Sequence, residues 1–304
     1  MSVILKDSPL EIPLSVPYAF GWIRSEKSVR DRATNFLFTK KAGESAVDSL
    51  LNGLKSEVFP ELRGGRFMGV ERFLDTEEVS NGLIWKRDDL GKPFVEFAGE
   101  LKEFAEQNGI SDKYLHISNT NDGGAHVVLA VYGENIAGVG VDLVDLSRLR
   151  RPSKDIAYFK RFARQFMSEQ ELAYFLEACE LLNSATRPDE YLLNLFSDTN
   201  ATSQEETILL LSAAHFSLME SASKACGTGL KMGVGMGHSE SLPKQSLGFN
   251  LNSSPIALIA DELSRARMKA LGAVGNEVAF RCDASFMLSA VLLMRESALP
   301  TLKS

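Results

Sequence analysis

Residues 138–145, Gly-Val-Gly-Val-Asp-Leu-Val-Asp, constrain this chain more than any other stretch. Valines alternating with glycines argue for a strand, and Asp142 sets a carboxylate at the edge of a core. A charge there is costly without a partner. An aspartate capping the next turn meets that need. A bound Mg²⁺ meets it equally, since this ion takes one or two carboxylates and fills its shell with phosphate oxygens and water. The motif alone leaves both readings open.

A second constellation lies on a strong helical pattern from about 205 to 226, closed by Gly227. Phe216, Glu220 and Lys224 stand four apart there and line one face. A carboxylate and an ammonium one turn apart can serve phosphoryl chemistry, and they can equally form a solvent-exposed helix pair. A third is Leu115-His-Ile-Ser118-Asn119-Thr120, where short polar side chains at a strand end can grip a phosphate or simply make a hairpin turn. Gly91-Lys92-Pro93 is a signal of the same weak kind.

Around these motifs the chain reads as alternating helices and short strands. An extended lead-in carries Pro9, Pro13 and Pro17, and a helix is predicted over 25–54 with Lys40 and Lys41 in its middle. Gly64 and Gly65 mark a turn, short strands follow between 67 and 97, and 98–108 reads as a helix. Strands are predicted at 115–118 and 126–132 with NTNDGG turning between them. Amphipathic helices occupy 156–182, with Ser168 as an N-cap and Glu171 at capping-box distance. The polar stretch 183–206 reads as an insertion. The tail holds a glycine-rich run at 233–237, a helix at 259–271 and strands near 276–282 and 285–294. The order of elements is coarsely echoed between the two halves, which suggests internal duplication.

With 304 residues the chain has room for two domains of about 150 residues. Its net charge of −7 argues against a nucleic-acid binder held by phosphate attraction. Cys179, Cys226 and Cys282 are too few and scattered for a disulfide framework or zinc site. The sequence shows neither a signal peptide nor an apolar run long enough to span a membrane, so a cytoplasmic protein is expected.

The order of the motifs, GKP, then a strand ending in a small polar cluster, then GVGVD, then F-S-x-x-E-S-x-x-K, resembles the 4′-phosphopantetheinyl transferase superfamily. GVGVDLVDLSRL at 138–149, QFMSEQELAYF at 165–175 and SKACGTGL at 223–230 resemble its holo-acyl-carrier-protein synthase branch. The length and the upstream GKP resemble the pseudodimeric branch, with two similar halves in one chain. The resemblance runs over residues 88–294 and more faintly over the helix with Lys40 and Lys41. There are departures. Met219 stands where the family has a lysine, Asn119 where a histidine is expected, and Val144 where the pseudodimeric pattern has a second acid. The 78 positions between Asp142 and Glu220 also exceed the usual gap.

The resemblance implies an α+β fold of two pseudo-symmetric lobes, each a long helix on a small, mostly antiparallel sheet. Residues 1–137 would be the coenzyme A nucleotide side, and 138–304 would carry the metal and catalytic residues. It implies Mg²⁺-dependent transfer of the 4′-phosphopantetheine arm of coenzyme A to a serine of an acyl, polyketide or peptidyl carrier protein, releasing 3′,5′-adenosine bisphosphate. Asp142, Glu220 and Asp145 are then the metal ligands, and Glu220, Lys224 and Asp142 the catalytic set. Lys40, Lys41, Lys92, Ser118, Asn119 and Thr120 are expected at the nucleotide end. Arg148 heads a basic run (Arg150, Arg151, Lys154, Lys160, Arg161, Arg164) expected to meet an acidic carrier. A monomer is expected rather than a homotrimer. A catalytically silent relative that binds coenzyme A or a carrier protein is the alternative.

Overall fold

The computed structural model of the chain describes residues 4–5, 12, 14–24, 32–55, 82–88, 92–150, 156–164, 167–183, 204–228, 246–251 and 256–296. Pro9, Pro13, the glycine pair at 64–65, the strands expected before residue 82, Gly91, Arg151, Lys154, nearly all of the polar stretch 183–206 and the glycine-rich run at 233–237 lie outside the described residues.

Strands β1 (Ile4–Leu5), β2 (Tyr18–Arg24), β5 (Leu115–Asp122) and β6 (Ala125–Tyr132) form an antiparallel sheet in the order β1-β2-β6-β5. Gly123 and Gly124, with φ of +54° and +82°, make the two-residue turn between β5 and β6. Helix α1 (Arg32–Lys55) repeats apolar residues at helical spacing, and Phe38, Ala42, Ala46, Leu50 and Leu51 are buried against Ala19, Ile23, Ile117 and Val128 of the sheet. The contact is close because Gly21 lacks a side chain. A Cβ there would fall 1.6 Å from the Ala42 carbonyl oxygen. Hairpin β3 (Leu83–Arg87) and β4 (Pro93–Phe97) and helix α2 (Gly99–Gln107) close this core with Val95, Phe97, Leu101 and Phe104.

Strands β7 (Ile136–Asp145), β10 (Ala273–Cys282) and β11 (Phe286–Arg295) form a second antiparallel sheet in the order β10-β11-β7. Helix α5 (Gln204–Ala225) packs on it, with α3 (Ile156–Ala163), α4 (Glu169–Asn183), the hairpin β8 (Leu247–Asn250)–β9 (Ala257–Ala260) and α6 (Glu262–Ala270) around it. The predicted N-cap of α4 is present, since the Glu171 N–H donates to Ser168 Oγ at 3.1 Å. The Glu171 side chain does not close a capping box. It turns inward to His215 Nδ1 at 2.7 Å and the Phe249 N–H at 3.0 Å, tying α4 to α5 and β8.

The remaining faces of the two sheets share a third core, with Trp22, Val127, Leu129 and Val131 against Val139, Val141, Leu143, Leu288 and Leu292. Full burial of each such side chain contributes about 1.5–3 kcal/mol. The molecule is therefore α+β, mixing helices with antiparallel sheets as expected. Among the described residues no helix is long and apolar enough to cross a membrane.

Period-two alternation divides β7 between two neighbours. Val139, Val141 and Leu143 face the shared core. Gly138 and Gly140 meet α5, where an added Cβ would fall 2.0 Å from the Ala225 carbonyl oxygen and 1.7 Å from that of Ser221. One edge of β7 pairs with β11. Its other edge is met by side chains of β5. The N–H groups of Val141, Leu143 and Asp145 donate to Ser118 Oγ, Thr120 Oγ1 and Asp122 Oδ2 at 3.0, 3.3 and 2.9 Å. Each pair is separated by the same 23 residues, so the two edge strands run parallel with hydroxyls and a carboxylate spliced between them. That arrangement satisfies N–H groups an edge strand would otherwise leave open.

Candidate active site

Asp142 is the next residue on the glycine face of β7 and so points at α5. It is buried. Its Oδ1 accepts from Lys224 Nζ at 2.7 Å and from Thr120 Oγ1 at 2.9 Å. Burial pushes the Asp142 carboxyl above the usual range, and the Lys224 charge and both hydrogen bonds work against that push. Lys224 Nζ also donates to the Val141 carbonyl at 2.9 Å, so two of its three N–H groups are engaged by β7. Glu220, half-buried, lies one turn earlier on the same face of α5.

Three buried hydroxyls set the seat of α5 on the sheet. Ser217 and Ser221 flank Ser289 Oγ at 2.6 and 2.7 Å, and Ser217 Oγ donates to the Asp142 carbonyl at 3.2 Å. Ser289 is the register partner of Asp142 across β7–β11. Met219 is buried in the core beneath α5, so the position where the resembling family has a lysine here supports packing.

Asp145 does not share this face. It lies three residues beyond Asp142, its Oδ1 accepts from the Ser147 N–H at 2.9 Å as an N-cap, and Gly123 leaves room for its Oδ2. The turn-capping reading weighed for an aspartate after this strand therefore describes Asp145. Arg148 pairs with Asp122 at 2.7 Å while its side chain stays 59% exposed.

The six nominated nucleotide-end residues are divided by the structure. Asn119 and Lys40 line one cavity, together with Thr39 of α1 and Trp85, Lys86 and Arg87 of β3. The Trp85 Nε1–H is buried there without a hydrogen-bond partner among the described residues. Ser118 and Thr120 face the other way, buried and bonded to β7. Lys41 is exposed on α1. Lys92 lies in a second groove with Asp88 and His116, and its Cδ would sit 3.7 Å from a Cβ on Gly227, beside the end of α5. Burial holds the Lys92 ammonium below its usual pKa, with the charges of Arg267 and Arg295 adding to the effect. Burial likewise lowers His116 to about 4. Sequence reasoning missed Ser289 and Arg267, which no local pattern marks. The adjacent cations Lys86 and Arg87, just before the GKP turn, were the available signal for the first cavity.

Among the described residues no three His, Cys, Asp or Glu side chains converge as a metal site. Asp142 and Glu220 nevertheless fit Mg²⁺. Asp142 Oδ2 has no hydrogen-bond partner among the described residues, and two hard carboxylates are as many protein ligands as this ion commonly takes.

Residues 138–267 match the family model described as the 4′-phosphopantetheinyl transferase superfamily. The segment contains Asp142, Glu220 and Lys224, so the resemblance read from the motifs is shown over this part of the chain. Among solved structures, the holo-[acyl-carrier-protein] synthase of Neisseria meningitidis is similar at 16% identity and a TM-score of 0.34, covering 53% of this chain and 99% of that one. The holo-ACP-synthase of Plasmodium yoelii aligns at 15% identity and a TM-score of 0.34, covering 54% and 98%. The Helicobacter pylori enzyme in complex with coenzyme A aligns at 18% identity and a TM-score of 0.29, covering 51% and 98%. No curated protein matches the chain.

Proposed function

We propose that the protein transfers the 4′-phosphopantetheine arm of coenzyme A to a serine of an acyl, polyketide or peptidyl carrier protein. The observation that carries this reading is the Asp142–Lys224 pair on facing elements of the segment that matches the transferase family, with Glu220 one turn away. Asp142 and Glu220 would hold Mg²⁺, which when bound would offset phosphate charge. The carrier serine Oγ attacks the β-phosphorus of coenzyme A, a new O–P bond forms, and the bond to the bridging oxygen breaks. 3′,5′-Adenosine bisphosphate leaves, and Glu220, directly or through water, takes the serine proton. The third N–H of Lys224 is the donor for the transferring phosphate.

The cavity with Lys40, Asn119, Trp85, Lys86 and Arg87 supplies cations and an aromatic surface suited to the nucleotide end of coenzyme A. The second groove, where Lys92 approaches the end of α5, would flank it. In this reading residues 1–137 and 138–304 are two related lobes in one cytoplasmic, monomeric chain, and Arg148 faces the carrier.

Intact-mass measurement of an apo carrier protein incubated with this protein, coenzyme A and Mg²⁺ tests the reading. The expected result is a gain of one phosphopantetheine, abolished by Glu220→Ala and by chelator. Coenzyme A binding without any gain across several carrier proteins would favour a silent relative, the reading that the buried Met219 supports.

A further inference from the structure

Thr120 Oγ1 stands between two groups on β7, the Leu143 N–H at 3.3 Å and Asp142 Oδ1 at 2.9 Å. A hydroxyl has one proton and two lone pairs. The Leu143 N–H can only donate, so the hydroxyl accepts there and spends its proton on Asp142. Oδ1 then receives Thr120 and Lys224 together, while no described residue bonds Oδ2. Turning the carboxylate about its Cβ–Cγ bond would break both contacts. The backbone of β7 thus fixes the hydroxyl, and the hydroxyl fixes the plane of the Asp142 carboxylate and the direction in which its second oxygen points.

We infer that Thr120 is a positioning residue, whose hydroxyl holds the Asp142 carboxylate with Oδ2 presented to a divalent cation. This rests on the reading of Asp142 as a metal ligand. It also removes Thr120 from the phosphate contacts, because its proton is already committed. Ser118 provides the internal comparison. It accepts from Val141 in the same ladder and does not touch Asp142.

The test is Mn²⁺ binding by the full chain, followed by electron paramagnetic resonance with coenzyme A present and no carrier protein, so that no turnover occurs. Thr120→Val is expected to weaken Mn²⁺ binding about 10–100-fold, the usual cost of losing a group that orients a ligand. Thr120→Ser and Ser118→Ala should stay within about twofold of the wild type, since both keep the bond to Asp142. Thr120→Cys, which drops the γ-methyl and leaves a weak S–H donor, should fall between, and it carries the test if the valine variant does not fold. Mn²⁺ affinity unchanged in Thr120→Val while Asp142→Ala loses it would overturn the inference and leave the metal site standing. Equal losses in Thr120→Val and Ser118→Ala would reduce Thr120 to a strut between the sheets. Asp142→Ala binding Mn²⁺ like the wild type would remove the metal reading itself.

Discussion

Burial pushes the Asp142 carboxyl upward, and the Lys224 charge is the largest influence opposing that push. In Lys224→Met the carboxyl loses its largest opposing influence, so its pKa in the folded state rises further above the unfolded value. A raised aspartate means the folded chain binds more protons than the unfolded one, so stability falls as pH climbs from about 4 towards the folded pKa. The stability gap between Lys224→Met and wild type should therefore be small near pH 4 and widen as pH rises above it, reaching about 2 kcal/mol in urea titrations. That is below the loss expected for a fully buried pair, because the Lys224 side chain is 27% exposed. His116 titrates with the opposite sign. Burial lowers it to about 4, so the unfolded chain binds its proton first and stability is lost as pH falls from about 6.5 to 4. His116→Gln should flatten that limb by about 3 kcal/mol. Equal acid sensitivity in both proteins would assign the limb to other groups.

Close packing of helix on strand is settled by a glycine in each of the two sheets. Gly21→Ala and Gly140→Ala each force a methyl into a helix carbonyl, at 1.6 and 1.7 Å, where only backbone movement gives relief. Each should cost about 3 kcal/mol or more in thermal or urea unfolding. Gly275→Ala, with nothing within 4 Å of the new methyl, should stay within about 0.5 kcal/mol. At this scale the sequence was informative where a pattern is local. The helix read over 205–226 is Gln204–Ala225, and the strand read over 138–145 is Ile136–Asp145. The run NTNDGG looked like a turn, yet only its two glycines turn. β5 continues to Asp122 because its polar side chains serve the N–H groups of β7, a demand made 23 residues away. The same distance effect hid the contacts of Thr120 and Ser289, whereas the pairing of Asp142 with Lys224 joins a strand end and a helix face that each carry their own motif. Hairpin β8–β9 went unread, since strands of four residues leave little alternation to detect.

For the molecule as a whole, the proposed partner must reach the Asp142 side of α5 against a net charge of −7. An acidic carrier would need local attraction, and Arg148 is placed to supply it just past the end of β7. Its pairing with Asp122 has two consequences that separate structure from docking. If the pair serves only to anchor the turn after β7, Arg148→Glu and Asp122→Ala should both lower stability modestly, with no change in carrier KM. An exposed ion pair is worth about 0–1 kcal/mol in such a role. If Arg148 also meets the carrier, charge reversal should raise carrier KM about tenfold at low salt while KM for coenzyme A holds, and the difference should shrink as salt screens it. Asp122→Ala would then leave KM unchanged or lower it, since it frees the guanidinium for the partner. The salt dependence decides between the two, because loosening of the turn has no reason to follow ionic strength in carrier KM alone.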